Sequence, residues 1–166
     1  SPDGEIRKLA APISGFGGTP RISELLVKVG EKVQKGQILA VFDNRPRVLS
    51  DLNIAETKIS TLEKKITIQK DDLKRYQIAA SQGAASIAIV DNKKLQLIKL
   101  IGEMEEIKAQ IIGLQVDLKE SQLRSPLNGV VLRIHTRVGE RTGSDGVLEI
   151  GATKLMQALI EVYESD

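Results

Sequence analysis

The chain has 166 residues, a formal net charge of +2, 28% charged and only 2% aromatic residues, and no cysteine. This excludes disulfides and thiolate metal sites, and it argues against nucleic acid as a partner, because phosphate binding needs a basic excess and base stacking needs aromatic rings. A lone His135 argues against a zinc site, and the longest fully apolar stretch, Ile38 to Phe42, falls far short of the ~20 residues that cross a bilayer.

In chain order, residues 5–43 read as short strands with turn punctuation: Gly17-Gly18-Thr19-Pro20 marks a loop, and Val33 to Gln37 holds a turn before the strand Ile38–Phe42. From Pro46 the period changes. Val48, Leu52, Ala55, Ile59, Leu62, Ile66, Gln69, Leu73, Tyr76 and Ala80 keep an alternating spacing of four and three, which is a coiled-coil seam with one polar interruption. Pro46 suits the first turn of that helix, and Asn44 is a candidate cap. Ser81-Gln82-Gly83-Ala84-Ala85-Ser86 breaks the pattern, and a second seam runs from Val90 through Lys93, Leu97, Leu100, Met104, Ile107, Ile111, Leu114 and Leu118 to Ser121. Ser125-Pro126 stops it. Two seams of matching length joined by a short turn fold back as an antiparallel hairpin, with arms of about 36 residues reaching about 54 Å. Beyond the second β segment, Met156, Ala158, Ile160 and Val162 alternate with Gln157, Leu159, Glu161 and Tyr163 and predict a strand. The chain starts at Ser-Pro-Asp-Gly without Met, shows no signal peptide, and reads as an excised piece with a further β module beyond that strand.

The segments flanking the hairpin repeat one another. Ala11-Pro12-Ile13-Ser14-Gly15 recurs as Ser125-Pro126-Leu127-Asn128-Gly129, Val29-Gly30-Glu31-Lys32 as Val138-Gly139-Glu140-Arg141, and Ile38-Leu39-Ala40-Val41 as Val147-Leu148-Glu149-Ile150. The last two pairs share an offset of 109 residues, and the first copy holds about five extra residues, Phe16–Pro20. Two copies predict one pseudo-symmetric β domain from which the hairpin leaves and to which it returns.

This layout resembles the periplasmic adaptor proteins, also called membrane fusion proteins, of the HlyD type. The resemblance is carried by Leu26 to Ala40 and Leu123 to Val131, with Ile160 to Asp166 similar to the run into that family's β-barrel domain. Pro2-Asp3-Gly4-Glu5 and Gly146 to Ile150 are similar to DevB-like adaptors of cyanobacterial ABC exporters. The resemblance implies an α+β fold: a split lipoyl-like (biotinyl/lipoyl) β-sandwich with an inserted long antiparallel coiled-coil α-hairpin. It divides the chain into a first lipoyl-like half at 5–44, the hairpin at 45–123 with its tip near 81–86, a second half at 124–152, and the start of a β-barrel domain at 153–166. It also implies a non-enzymatic, cofactor-free protein of the periplasm that joins an inner-membrane ABC transporter to a TolC-like outer-membrane channel and assembles as a homo-hexamer.

The family's tip signature of Arg, Leu and Ser fits Arg75 to Ser86, with Ala79 where leucine is expected, so the apolar contact is smaller or comes from Ile78. Arg75 and Ser86 also have plain structural readings, a solvated helix charge and a helix N-cap. The loop Thr136 to Gly143 is an ordinary polar turn, or it lines the opening of a ring with Arg137, Glu140 or Arg141 facing inward. Lys64-Lys65, Asp71-Asp72 and Lys93-Lys94 read as solvated helix faces, with pairing between subunits as the sharper option. His135 reads as a strand residue, since no nucleophile or acid accompanies it in a recognisable arrangement. Two rivals come from other classes. A carrier domain bearing lipoate or biotin needs an exposed lysine at the tip that the helices occupy after Asp43-Asn44, and a cytoplasmic coiled-coil scaffold leaves the paired β motifs unexplained.

Overall fold

A computed structural model describes residues 5–13, 18–153 and 160–164. The chain divides into two compact units: one comprises Ser1–Arg47 and Asp117–Asp166, the other Val48–Val116.

Among its described residues the first unit holds seven strands: β1 (Ile6–Leu9), β2 (Ile22–Leu25), β3 (Lys32–Val33), β4 (Ile38–Phe42), β5 (Gln122–Arg124), β6 (Gly129–Ile134) and β7 (Leu148–Ala152). They form a four-stranded sheet in the order β1-β7-β6-β3 and a three-stranded sheet in the order β2-β4-β5, with every pairing antiparallel. The core draws on both sheets, with Ile22, Leu39, Phe42, Val131, Leu148 and Ile150 almost completely buried. Leu39, Leu148 and Ile150 belong to the repeated segments, and Ile22 and Val131 stand at the same offset of 109 residues, so the duplication in the sequence carries core-forming positions.

The two copies interlock. β4 and β7 hold equivalent places: each is flanked by its own copy's second strand (β2 or β6) and by the first strand of the other copy (β5 or β1). β3 pairs the far side of β6 through Lys32 and Val130, and the counterpart of β3 touches β2 through the isolated bridge between Arg21 and Arg141. Gly129 and Gly151 allow the close approach of β6 and β7. A methyl on Gly129 would collide with the Gly151 carbonyl oxygen and stand 2.8 Å from Ile150 Cγ2.

The chain leaves this unit after β4 and re-enters at β5, the neighbouring antiparallel strand. Ser121 is fully buried at the junction: its carbonyl accepts from Phe42 N–H at 2.9 Å, and its hydroxyl accepts from Arg45 Nη1 at 3.0 Å while donating to Leu118 O at 2.6 Å. These bonds occupy carbonyls that a helix end leaves without partners.

The second unit lies within α1 (Arg45–Ser81) and α2 (Ile87–Glu120). Each seam residue expected from the spacing is buried or half-buried, and nearly all residues between them are exposed. Two helices alone cannot enclose a full apolar stripe, which is why α1 fully buries only Val48, Ala55, Leu62 and Ile66, and α2 only Val90.

Three local expectations are corrected. Asn44 precedes α1, but its Oδ1 is buried without a hydrogen-bond partner. A capping side chain accepts from the second or third helical N–H, and Pro46 removes one of these donors. Gln122 and Leu123, expected at the end of the helical arm, are strand: they pair with Val41 and Ala40, and Leu123 packs on the core. Finally, Ile160 to Glu164 is helical where alternation predicts a strand. No described strand pairs with it, so the local hydrogen bonds of a helix satisfy its backbone instead. Met156 and Ala158 of the same expectation lie outside the described residues.

Candidate functional site: the hairpin tip and the repeated turns

At the tip, α1 ends in a Schellman motif. Gly83 takes φ +75°, its N–H donates to Ala80 O at 3.1 Å, and Ala84 N–H reaches back to Ala79 O at 2.8 Å. Glycine is what permits the left-handed residue that stops the helix. Three residues later Ser86 caps α2, its Oγ accepting from Ile89 N–H at 3.2 Å. The cap that sequence offers as the plain reading of Ser86 is therefore present, and the exposed hydroxyl keeps its own proton available as a donor.

Arg75 sits on α1 with its side chain 74% exposed and only a 3.5 Å contact to Asp72 Oδ1. Ile78 is half-exposed, and Ala79 is partly covered with its carbonyl engaged in the Schellman motif. The apolar group that sequence reading misses here is Ile87, 75% exposed at the first turn of α2. Its signal was its place just before Val90, outside the seam. Ile78 and Ile87 thus give the tip two exposed aliphatic side chains, where the tip signature calls for one leucine.

Just below the tip, Lys93 and Asp72 are not the solvated faces expected of them. Lys93 Nζ lies 2.6 Å from Asp72 Oδ2 and 4.9 Å from the centre of the Tyr76 ring, a salt bridge and a cation–π contact across the two helices. The hydrogen bond it donates to Asp72 holds the Lys93 ammonium above its ordinary pKa. Gln69, the polar interruption of the first seam, donates to Lys93 O at 3.2 Å and to Gln96 Oε1 at 3.1 Å. Together they form a polar layer with defined partners, the arrangement that specifies register in coiled coils.

In the β unit, the loop carrying Arg137, Glu140 and Arg141 is one of two equivalent type II turns. In Arg137-Val138-Gly139-Glu140, Gly139 has φ +86°, Glu140 N–H donates to Arg137 O at 3.0 Å, and Glu140 Oε2 accepts from Arg137 N–H at 3.3 Å. In Lys28-Val29-Gly30-Glu31, Gly30 has φ +88°, Glu31 N–H donates to Lys28 O at 3.1 Å, and Glu31 Oε2 accepts from Lys28 N–H at 2.9 Å. Gln34 to Gln37 repeats the device with an amide in place of the carboxylate. Glu140 is therefore spent on its own turn. Arg141 Nη1 donates to Thr19 O at 2.9 Å and spans between the copies. All three residues are exposed. His135 follows β6, with Nε2 3.6 Å from Glu149 Oε2, and Lys8 and Arg133 approach the same carboxylate from the neighbouring strands at 3.8 and 3.9 Å.

Among the described residues no group of His, Cys, Asp and Glu is arranged to hold a metal ion, and no helix is long and apolar enough to cross a membrane.

No family model matches the chain. It is 25% identical over 142 residues to the uncharacterized protein YdhJ of Escherichia coli strain K12, covering 83% of this chain and 47% of that one. It is 24% identical over 140 residues to the multidrug resistance protein MdtA of Pantoea ananatis, covering 82% and 34%. The chain thus spans less than half the length of these curated relatives. Among solved structures it is similar to the membrane fusion protein Spr0693 of Streptococcus pneumoniae R6, with a TM-score of 0.68 at 19% identity, over 89% of this chain and 61% of that one. The chain therefore has the fold of a membrane fusion protein, an α+β fold with a long helix pair, and the resemblance drawn from its sequence is met. None of these comparisons bears on the DevB-like subtype.

Proposed function

We propose that this chain is the lipoyl-like and α-hairpin part of a HlyD-type periplasmic adaptor, without enzymatic activity, serving an efflux or export system. The observation that carries the reading is a two-copy β unit interrupted between adjacent strands by a helix pair, in a chain that shares its fold with a membrane fusion protein and sequence similarity with MdtA.

In this reading the two sheets are the faces of a lipoyl-type sandwich, and the place of the modifiable tip between β4 and β5 is taken by the helices. The protein works as spacer and seal at the inner membrane of a cell with two membranes. The β domains of six copies surround a conduit near an ABC-type transporter, with Arg137 as the loop charge that faces the opening. The hairpin tip docks on a TolC-like outer-membrane channel through the Arg75 guanidinium, the Ser86 hydroxyl and the aliphatic pair Ile78 and Ile87. Support for the tip is chemical: an exposed cation, an exposed hydroxyl and exposed aliphatic groups are held on a rigid turn rather than a loose loop.

The test uses Arg75→Asp and Ser86→Asp in the full-length protein. Aspartate caps helices as well as serine does, so the second variant leaves α2 capped while changing what the tip presents. Export and site-specific cross-linking from position 75 or 86 to the channel should be lost with helicity unchanged. Unchanged export and cross-linking in both variants would overturn the tip assignment.

A further inference from the structure

Asp72 faces two cations and divides its carboxylate between them. Its Oδ2 lies 2.6 Å from Lys93 Nζ on α2, while its Oδ1 lies 3.5 Å from Arg75 Nη2 on its own helix. The first distance is that of a charge-assisted hydrogen bond, and the second sits at the outer edge of hydrogen bonding. Among the described residues no other acid forms an ion pair with either cation. Asp71 stands four residues before Arg75, the spacing of a helical pair, yet it is exposed and makes none.

The lysine has the stronger claim for reasons outside the carboxylate. Lys93 occupies a seam position, so its stem is held between the helices, and its ammonium stands 4.9 Å from the centre of the Tyr76 ring. Its side chain is 25% exposed, against 74% for Arg75. A guanidinium carries five N–H donors in a fixed fork. Arg75 meets Asp72 through one nitrogen, so the rest of the fork is open to a carboxylate or carbonyl on another molecule.

Removing the ammonium would change which cation the carboxylate holds. The Asp72 side chain is itself only 23% exposed, and a largely buried carboxylate left without a partner is unfavourable. Arg75 is the cation already in reach, three residues along the same helix face. Its fork would close on both oxygens of Asp72, as arginine and carboxylate prefer, and lie along α1 instead of outward. A partner would then have to break that pair before it could bind.

We propose that Lys93 is a positioning residue of the tip: by holding the Asp72 carboxylate from the opposite helix, it keeps the Arg75 guanidinium free to meet an oxygen acceptor of a partner protein. The docking consequence rests on the proposed role of Arg75, whereas the control of Arg75 by Lys93 does not. The role also gives a reason for a lysine in a seam of α2 that is otherwise apolar from Val90 to Leu118.

The test reads Arg75 first without any partner and then with one. Methionine suits both a helix and an apolar seam, so Lys93→Met keeps the hairpin folded. Phenylglyoxal condenses with accessible guanidinium groups, and peptide mass spectrometry assigns the modified site in the full-length protein. Lys93→Met should slow modification of Arg75 about two- to threefold, the effect of one exposed ion pair. Adding Asp72→Asn should restore the natural rate, adding Asp71→Asn should not, and Lys93→Arg alone should keep it. Cross-linking in cells from position 82 to the outer-membrane channel should follow the same order, and Arg75→Ala should lower it at least as far as Lys93→Met.

Unchanged reactivity of Arg75 in Lys93→Met would overturn the positioning role, as would restoration by Asp71→Asn as complete as that by Asp72→Asn. A loss of cross-linking in Lys93→Met that Asp72→Asn fails to restore would overturn it too, because it marks a structural effect on the hairpin. Reactivity in the expected order with cross-linking intact in Arg75→Ala would instead count against the tip assignment of Arg75 and leave its control by Lys93 standing.

Discussion

Ile22 and Val131 stand 109 residues apart, and each exchanges two backbone hydrogen bonds with the tight turn of the other's copy. Gly139 N–H donates to Ile22 O at 2.8 Å and Ile22 N–H to Glu140 O at 3.1 Å; Gly30 N–H donates to Val131 O at 2.7 Å and Val131 N–H to Glu31 O at 2.9 Å. The relationship is reciprocal, so neither copy can satisfy its own backbone without the other. Residues separated by the whole hairpin must meet before the β unit is stable.

The turns that make this exchange depend on glycine. Gly30→Ala and Gly139→Ala each force a side chain into the left-handed region and should cost about 1–2 kcal/mol. Denaturant unfolding followed on the β unit should show similar losses for the two single variants, since the turns are equivalent.

Gly129 and Gly102 should respond in opposite directions to the same change. Gly129→Ala drives a methyl into the Gly151 carbonyl and Ile150, and should destabilise by about 1–3 kcal/mol or more. Gly102→Ala meets open space and should stabilise α2 by up to about 1 kcal/mol. Paired thermal melts with far-ultraviolet circular dichroism separate the two outcomes.

At the tip, Gly83→Ala removes the residue best suited to the left-handed stop, and Ser86→Ala removes the cap of α2. Each should cost about 1 kcal/mol. The loss should appear as faster hydrogen exchange confined to residues near 78–90. Exchange that speeds equally along both helices would contradict a local role.

Lys93 has its pKa raised by the hydrogen bond that it donates to Asp72. A group whose pKa is raised on folding contributes stability that is complete below its unfolded value, about 10.4 for lysine, and lost as pH rises through the folded value. The difference in melting temperature between the natural protein and Lys93→Met should therefore be constant near neutrality and shrink above that value.

The candidate site was only partly legible in the chain. Arg75, Ser86 and the glycine stop are local features, and caps and C-terminal glycines act over a few residues, so their pattern can be read directly. Ile87 escaped because exposure depends on what the rest of the fold leaves uncovered. From sequence the loop of Arg137, Glu140 and Arg141 is an ordinary polar turn or a conduit lining, and in the structure the Glu140 carboxylate bonds its own turn. The clue was available in Glu31, the same residue at the same place in the other copy.

Periodicity by itself determined the helix pair, its seam and the existence of a duplicated β unit, because burial on one face imposes a spacing of four and three on helices and of two on strands. Only the tertiary structure decided how the copies interlock, that Gln122 and Leu123 join a sheet, and that Ile160 to Glu164 is helical. Each of these turns on which backbone groups find partners far away in sequence.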